Sequence, residues 1–379
     1  MRPFQKYSFT GLLPLVFLAS CILTWVQQTT TIIEEKPLFG DIQQRTNPTL
    51  SIESWFDGNY QIEKEKVLNE SFAFRNFFIR LKNQIDFFLF QKSSAKEVII
   101  GKENYLFEKN YIQSYQGADF IGEEAIQVKC RMLRAIQDKL LAMKKTLLVV
   151  IAPGKGFYYP EFLPEAKADD KKNSTNYEIY KNMLMDNHIH FIDFNAYFME
   201  EKRKSDFPLF PQYGIHWSFW ASCHALDSMI TKLEILRQQD LANLHLSDPQ
   251  FYPPSGGDYD IGFGLNLLSQ LPSFEMAYGN LRFDSVSVKP SALTIGDSFY
   301  WSQYNLGLKS VFKNHHFWYY YRQKYPQDKL IEKSQKHFVI EEITNNDIII
   351  ILATEAHLND FGWGFIEDCF QELNDISYN

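Results

Sequence analysis

Cysteine is scarce in this sequence, with four residues in a chain of 379. They stand at positions 21, 130, 223 and 369, a spacing that matches neither a metal-binding knuckle nor a dense disulfide framework. One bond, between Cys223 and Cys369 for instance, is compatible with the sequence but does not follow from it. Hydrophobic residues make up 45% and charged residues 22%, an ordinary globular balance for one large domain or two modest ones.

Positively charged residues are also fewer than negatively charged ones. The 38 lysines and arginines are outnumbered by 46 acidic residues, which gives a net charge of −8, and no basic stripe is found. Because nucleic-acid-binding proteins use such a stripe to neutralise phosphates, the sequence argues against a nucleic-acid partner. It also contains no cluster of metal-ligating residues, so no metal or other cofactor is predicted. Aromatic residues are abundant at 16%.

The N-terminus carries an apolar run. Arg2 and Lys6 precede a largely uncharged stretch, Phe9 to Val26, whose length is near the lower limit for crossing a bilayer. With the cations ahead of it, the run predicts a single-pass anchor over residues 1–27 in the inner membrane, with the rest of the chain in the periplasm. A lipoprotein cleavage box ending at Cys21 and a cleaved signal peptide are the alternatives. The apolar run continues past Cys21, which favours the anchor.

The remaining chain divides by composition. Residues 28–50 are polar and rich in turn formers, and they predict a stalk. Residues 51–95 have apolar positions at helical spacing and predict a helical lead-in that packs on the main domain. Residues 96–379 form the main domain, which begins with a predicted hairpin whose turn lies near Glu103 and Asn104.

The main domain alternates apolar strands with helices of 12 or more residues. This alternation is typical of an α/β fold with three layers, in which a parallel sheet is covered by helices on both faces. The predicted strands have the sequences TLLVVIAP (Thr146–Pro153), IHFIDF (Ile189–Phe194), ALTIGDSF (Ala292–Phe299) and DIIIILAT (Asp347–Thr354).

A serine stands where one of these strands ends. The segment Thr294–Tyr300 reads TIGDSFY, so Ser298 follows the strand at its carboxyl end, where sites form in open parallel sheets. Gly296 permits a tight turn, and amides at the following helix start can stabilise an oxyanion. Asp297 can hold the loop by accepting backbone hydrogens. A simple helix cap is the alternative interpretation, since Asp and Ser are preferred there.

A serine hydroxyl needs a base to become a nucleophile, and His216 is the best placed of nine histidines. It lies in YGIHWS (Tyr213–Ser218), on a predicted loop, with Trp217 beside it to exclude water and hold the ring. The alternative is a histidine packed in an aromatic core. Position 214 is Gly, although a carboxylate one or two residues from such a histidine is common in hydrolases.

Together these segments resemble the alginate O-acetyltransferase family of the AlgJ/AlgX type, whose members have an SGNH-hydrolase-like domain. The family's histidine–tryptophan motif precedes its GDSF motif, and this chain has the same order. The resemblance covers residues 50–370 and extends to four further segments, SFAFRNFFIRLKNQ, VIIGKENYLFEKNYIQSYQG, VVIAPGKGFYYPEFLP and GGDYDIGFGLNLL (Gly256–Leu268).

The resemblance implies that Ser298 is the nucleophile and His216 the general base, with Gly296, Asp297 and Trp217 in supporting or oxyanion-stabilising positions. The family usually has Asp two residues before the histidine, where this chain has Gly214.

A carboxylate from elsewhere can orient the histidine instead. The candidates are Asp193 and Glu355, because each follows the carboxyl end of a predicted strand. A solvated or helix-capping role is the alternative for each of them.

The implied activity is transfer of an acetyl group to hydroxyls of an extracytoplasmic polysaccharide through a serine acyl-enzyme. The implied partners are that polysaccharide and a multi-pass membrane O-acyltransferase that supplies the acetyl group. Two alternatives stay open: a carbohydrate esterase or deacetylase with the same Ser–His pair, and an inactive polysaccharide-binding scaffold, which the missing Asp at Gly214 favours.

Overall fold

The computed structural model describes residues 9–40, 45–165, 173–286, 288–332 and 338–376. The chain divides into two compact units. The first comprises residues 1–96 together with 262–271, and the second comprises residues 97–261 and 272–379.

The first unit is helical. Its helices are α1 (Phe9–Thr30), α2 (Ile52–Phe56), α3 (Asn59–Ser71) and α4 (Arg75–Phe90). Ser51 starts α2 with a capping box, in which its side chain accepts from the backbone of Ser54 while the Ser54 side chain accepts from the backbone of Ser51.

The predicted inner-membrane anchor is wrong. Among the residues that the structure describes, no helix is both long enough and apolar enough to cross a membrane. Helix α1 contains Pro14 and ends in four polar residues, Gln27–Thr30, which shorten its apolar part below the about 20 residues that a span requires.

The second unit opens with the predicted hairpin. Strands β1 (Val98–Ile100) and β2 (Leu106–Glu108) pair antiparallel. The turn between them contains Glu103 and Asn104, both with positive φ, so the hairpin and its turn are confirmed.

A seven-stranded sheet forms the centre of this unit. Its members are β3 (Thr146–Ala152), β4 (Phe191–Asp193), β9 (Ala292–Gly296), β10 (His315–Tyr319), β11 (Gln323–Tyr325), β12 (Lys329–Leu330) and β13 (Ile348–Thr354), in the order β12-β11-β10-β9-β13-β3-β4. Every residue of β3, β9 and β13 is buried, which explains their continuous apolar sequences. Two-stranded sheets pair β5 (Leu244–Leu246) with β8 (Leu281–Phe283) and β6 (Gln250–Tyr252) with β7 (Met276–Tyr278).

The sheet is mixed, which corrects the prediction of a parallel sheet. Strands β10, β9, β13, β3 and β4 are parallel, but β11 and β12 are antiparallel to their neighbours. Only Tyr320, Tyr321 and Arg322 separate β10 from β11, and a connection this short can join only antiparallel strands.

Helices cover both faces of the sheet, and the α/β class is confirmed. The helices of this part are α5 (Lys109–Gln116), α6 (Glu123–Ala142), α7 (Lys155–Tyr158), α8 (Asn176–Asp186), α9 (Phe194–Glu201), α10 (Phe219–Arg237), α11 (Asp260–Gly264), α12 (Tyr300–Gln303), α13 (Lys309–Val311), α14 (Phe338–Asn345) and α15 (Phe365–Ile376). Helices α6, α8, α14 and α15 contribute to a buried core with β3, β9 and β13, whereas α9 and α10 contact β3 from the other side.

Candidate active site

Ser298 and His216 lie within hydrogen-bonding distance of each other. The Oγ atom of Ser298 is 3.1 Å from Nε2 of His216, although 82 residues separate them in the chain. Ser298 follows the carboxyl end of β9, and His216 lies in the loop between α9 and α10. The parallel strands of the sheet bring the serine to the edge formed by their carboxyl ends, where a crevice receives the ligand in folds of this class.

Asp260 is the carboxylate that orients His216. Its Oδ2 is 2.6 Å from Nδ1 of His216, and its Oδ1 accepts the backbone N–H of Ile215 at 2.9 Å. The Nδ1 proton therefore points to Asp260, which leaves the Nε2 lone pair facing Ser298. These contacts form a Ser–His–Asp arrangement whose three members come from three separate segments.

Asp193 and Glu355, the carboxylates proposed from the sequence, serve other contacts. Asp193 caps α9 by accepting from the backbone of Ala196 and forms an ion pair with Lys181 at 2.8 Å. Glu355 is buried at the end of β13, where its backbone carbonyl accepts from the hydroxyl of Ser114. Asp260 replaces both as the partner of His216.

The packing around Gly214 explains why the carboxylate that orients His216 comes from a different segment. A Cβ atom on this residue would lie 2.5 Å from the carbonyl oxygen of Gly257 and 2.7 Å from Cγ of Pro211. No side chain fits there, because the segment that carries Asp260 packs directly against the backbone of Gly214. The glycine thus permits the close approach by which Asp260 reaches His216.

Replacing Gly214 with alanine should destabilise the fold. Backbone atoms must move to admit the new Cβ, and overpacking of this kind costs about 1–3 kcal/mol. The free energy of unfolding in urea measures the effect. The matched control is Gly264→Ala, because a Cβ at Gly264 meets nothing within 4 Å. Equal stabilities of the two variants would contradict the role assigned to Gly214.

Lys155 holds the loop that carries His216. Its side chain is fully buried, and its Nζ donates to the carbonyl oxygens of Gln212 at 2.8 Å and Gly214 at 2.7 Å. Burial lowers the pKa of Lys155 to about 7, although the charges of Asp260 and Glu108 oppose the shift. Nothing in the sequence alone singled out this lysine, which lies in the PGKGF segment.

The carboxylates around His216 favour its protonated form. Burial alone would lower its pKa, but the hydrogen bond and charge of Asp260, together with the charges of Asp297 and Glu108, raise the pKa above its ordinary value. The imidazole side chain is 21% exposed and so remains accessible. The same carboxylates stabilise the imidazolium that forms when the ring accepts a proton.

Asp297 fixes the loop that carries Ser298. Its carboxylate is completely buried and accepts from the backbone of Phe299, from the backbone and hydroxyl of Thr354, and from Nδ1 of His357. Burial by itself would raise the pKa of Asp297, but these hydrogen bonds hold it below its usual value. Asp297 thereby ties the end of β9 to the end of β13.

Gly296 and Trp217 lie beside Ser298 and His216 and have different roles. A Cβ on Gly296 would lie 3.1 Å from Cβ of Tyr300, so a larger residue would push the turn after β9 away. Trp217 is buried, and its ring meets that of Phe299 edge-on at 5.4 Å. Phe299 also packs on the ring of His216 at 4.8 Å, so the aromatic side chains restrict how the imidazole can turn.

Tyr320 is a further residue at the serine that the sequence did not reveal. Its hydroxyl lies close to the side chain and the backbone of Ser298, and its ring lies edge-on to His357 at 5.4 Å. Burial raises the pKa of Tyr320 above its usual value, so the phenol keeps its proton and remains a hydrogen-bond donor.

A cavity of about 450 Å³ opens beside the pair. Ser298, His216 and Asp260 line it together with aromatic and polar side chains. The other lining residues are Trp217, Phe219, Ser222, Ser255, Gly257, Asp258, Tyr278, Trp301, Ser302, Asn305 and Leu306. The reactive hydroxyl thus faces a space that admits a ligand much larger than an acetyl group.

Comparison with known proteins gives one family match. Residues 98–246 match the model of a family described as "SGNH hydrolase-like domain, acetyltransferase AlgX". The matched range contains His216 and Lys155 but ends before Asp260 and Ser298. No curated protein matches the chain.

Three solved structures match part of this chain at low sequence identity. The O-acetyltransferase domain of Pseudomonas putida AlgJ is 17% identical, with a TM-score of 0.47 over 72% of this chain and 98% of that one. Pseudomonas aeruginosa AlgX is 15% identical, with a TM-score of 0.43 over 71% of this chain and 66% of that one. Bacillus cereus PatB1 is 11% identical, with a TM-score of 0.44 over 71% and 99%.

Proposed function

We propose that this chain is a serine-dependent O-acetyltransferase that acts on polysaccharide hydroxyls. The match of residues 98–246 to the family of SGNH hydrolase-like acetyltransferase domains supports this proposal. The observation that carries the proposal is the Ser298–His216–Asp260 arrangement at the edge of the cavity. An inactive scaffold would have no need of a serine, an imidazole and a carboxylate held in this order.

The first half-reaction acetylates the serine. Oγ of Ser298 attacks the carbonyl carbon of an acetyl ester while Nε2 of His216 accepts the hydroxyl proton. The leaving alcohol takes that proton from the imidazolium, and an acetyl ester remains on Ser298. Asp260 stabilises the imidazolium, and the protonated hydroxyl of Tyr320 is a donor for the oxyanion that develops beside the serine.

The second half-reaction transfers the acetyl group to a sugar. A sugar hydroxyl in the cavity loses its proton to His216 and attacks the acetyl carbon, and the proton then returns to Oγ of Ser298. Trp301, Tyr278 and Phe219 line the cavity and offer faces on which a sugar ring can stack. The cavity volume admits at least one such ring. The multi-pass membrane acyltransferase expected from the family resemblance is the proposed source of the acetyl group.

An isotope-labelled transfer experiment tests this function. The purified chain is acetylated with a ¹³C-acetyl aryl ester, desalted, and mixed with neutral and acidic oligosaccharides. We expect labelled acetyl on an oligosaccharide by mass spectrometry, and none when Ser298→Ala replaces the wild type. If all the label appears as free acetate with every acceptor, the protein is an esterase and transfer is ruled out.

A further inference from the structure

Partly exposed aromatic side chains adjoin the cavity where the antiparallel strands begin. Trp301, which lines the cavity, contacts the ring of Tyr325 on β11 at 4.6 Å and the ring of Tyr319 on β10 at 5.7 Å. Tyr319 in turn contacts the ring of Tyr320 at 4.5 Å, and Tyr320 lies close to Ser298. The rings of Trp301, Tyr319 and Tyr325, here called the aromatic wall, therefore continue one side of the cavity.

The register of β10 and β11 places the two tyrosines of the wall on one face of the sheet. Tyr325 pairs with Phe317, and paired residues of neighbouring strands point to the same face, as does Tyr319 two positions along β10. Trp318 points to the opposite face, where it belongs to the buried core. Strand β11 lies two strands from β9, on the order of 10 Å at the usual strand spacing, so the wall extends well past the reacting serine.

The aromatic wall is held from within and is not fully covered. The buried ring of Phe317 contacts all three of its rings, at 4.9, 5.9 and 6.1 Å. The three rings themselves remain partly exposed. Side chains fixed in this way lose little conformational freedom when a ligand covers them. Because the C–H groups of a sugar ring are apolar, such a ring can cover aromatic surface while its hydroxyls stay in water.

We propose that the aromatic wall binds the sugar units that adjoin the acetylated one, so that the protein recognises a glycan chain rather than a single sugar. Continuity with the cavity carries this inference, since a chain whose reacting hydroxyl lies at Ser298 can extend past Trp301 onto Tyr319 and Tyr325. The inference rests on the proposed transferase function and adds a second binding surface to the same site.

Glycan binding to the Ser298→Ala variant tests the inference apart from catalysis, because this variant cannot form the acetyl-enzyme. Cello-oligosaccharides and oligogalacturonates of one to six units are titrated against it by calorimetry. We expect the dissociation constant in at least one series to fall by about 10-fold or more from monomer to hexamer, as added ring contacts accumulate. Hydroxyl-radical footprinting should show that the hexamer protects Trp301, Tyr319 and Tyr325.

Three outcomes of these measurements would overturn the inference. They are the absence of binding in both series, equal binding of monomer and hexamer in both, and protection of the aromatic wall without glycan in a dimer of the chain, which would assign the wall to a second copy. Length-dependent binding without acetyl transfer by the wild type would instead refute the transferase function and leave the wall as a glycan-binding surface.

The variant Tyr325→Ala, made in the Ser298→Ala background, tests the wall itself. Removing one ring should reduce the gain with chain length to about twofold, whereas Tyr325→Phe keeps the ring and should retain the gain. The control is Tyr197→Ala, because Tyr197 is also partly exposed and packs on Phe198 at 5.1 Å but belongs to α9, which contacts β3. An unchanged length dependence in folded Tyr325→Ala would exclude the wall. If that variant fails to fold, the length series and the footprint of Ser298→Ala decide.

Discussion

Replacing Ser298 with alanine should abolish the acetyl adduct and lower turnover of an aryl acetate by at least about 10³-fold. The reason is chemical, because the covalent route needs a nucleophile at this position and the remaining groups only stabilise charge. Intact-mass spectrometry detects the adduct, and release of the aryl alcohol gives the rate. The residual rate should approach the rate that oxyanion stabilisation and substrate binding provide without a nucleophile.

A serine outside the cavity provides the control for this substitution. Ser228 lies in α10 and hydrogen-bonds to the carbonyl of His224, so Ser228→Ala should leave both adduct and rate unchanged. If Ser298→Ala still formed the adduct, the nucleophile would have to be another residue, and the assignment of the site would fail.

Replacing Asp260 with asparagine should lower the rate of Ser298 acetylation by about 10²–10⁴-fold. Asparagine keeps the shape but can donate to Nδ1, which turns the imidazole to the wrong tautomer and removes the charge that stabilises the imidazolium. Single-turnover acylation measured by rapid quench isolates this step from transfer.

The pH dependence of acylation gives this prediction a second readout. His216 accepts a proton only when it is neutral, so wild-type acylation is lost as the pH falls through its raised pKa. Without the hydrogen bond and charge of Asp260, the pKa of His216 falls. The acidic limb of the residual activity should therefore move to lower pH in Asp260→Asn.

Asp193→Asn is the matched control, since Asp193 is the aspartate that the sequence suggested in place of Asp260. Its carboxylate caps α9 and pairs with Lys181, so the substitution should reduce stability slightly and leave acylation within a factor of about two. A large loss in Asp193→Asn together with normal acylation in Asp260→Asn would reverse the assignment of the third residue.

Local motifs were sufficient to find two members of the site. Ser298 follows a buried strand, and His216 lies in a loop between two helices, and each position is visible in the order of apolar and turn residues. The Ser–His contact itself joins positions 82 residues apart, and only the tertiary fold brings them together.

The third member was not identifiable from spacing. Asp260 reaches His216 across 44 residues, through a close backbone approach at Gly214 that no sequence pattern encodes. The available signal was indirect: a family aspartate is absent at Gly214, and two aspartates, Asp258 and Asp260, stand in the nearby Gly-Asp segment. The carboxylate of Asp260, on a segment that packs against Gly214, can thus compensate for the aspartate that is absent at position 214.

The antiparallel strands at one edge of the sheet could not be predicted from the sequence either. The turn between β10 and β11 contains Tyr320 and Tyr321 with positive φ, a conformation that aromatic residues adopt rarely. Neither glycine nor proline marks this turn, so the sequence HHFWYYYRQKY reads as one aromatic strand. The same turn places Tyr320 against Ser298 and so links the fold's irregular edge to the site.

The central claim is that Asp260 acts through His216 on Ser298, and a double-mutant cycle of single-turnover acylation rates tests it most directly. The cycle compares wild type, His216→Ala, Asp260→Asn and the double variant. Because a carboxylate that works through the imidazole has nothing to orient once the ring is gone, the double variant should acylate as slowly as His216→Ala alone. If the two losses instead multiply, Asp260 acts independently of His216 and the account is contradicted.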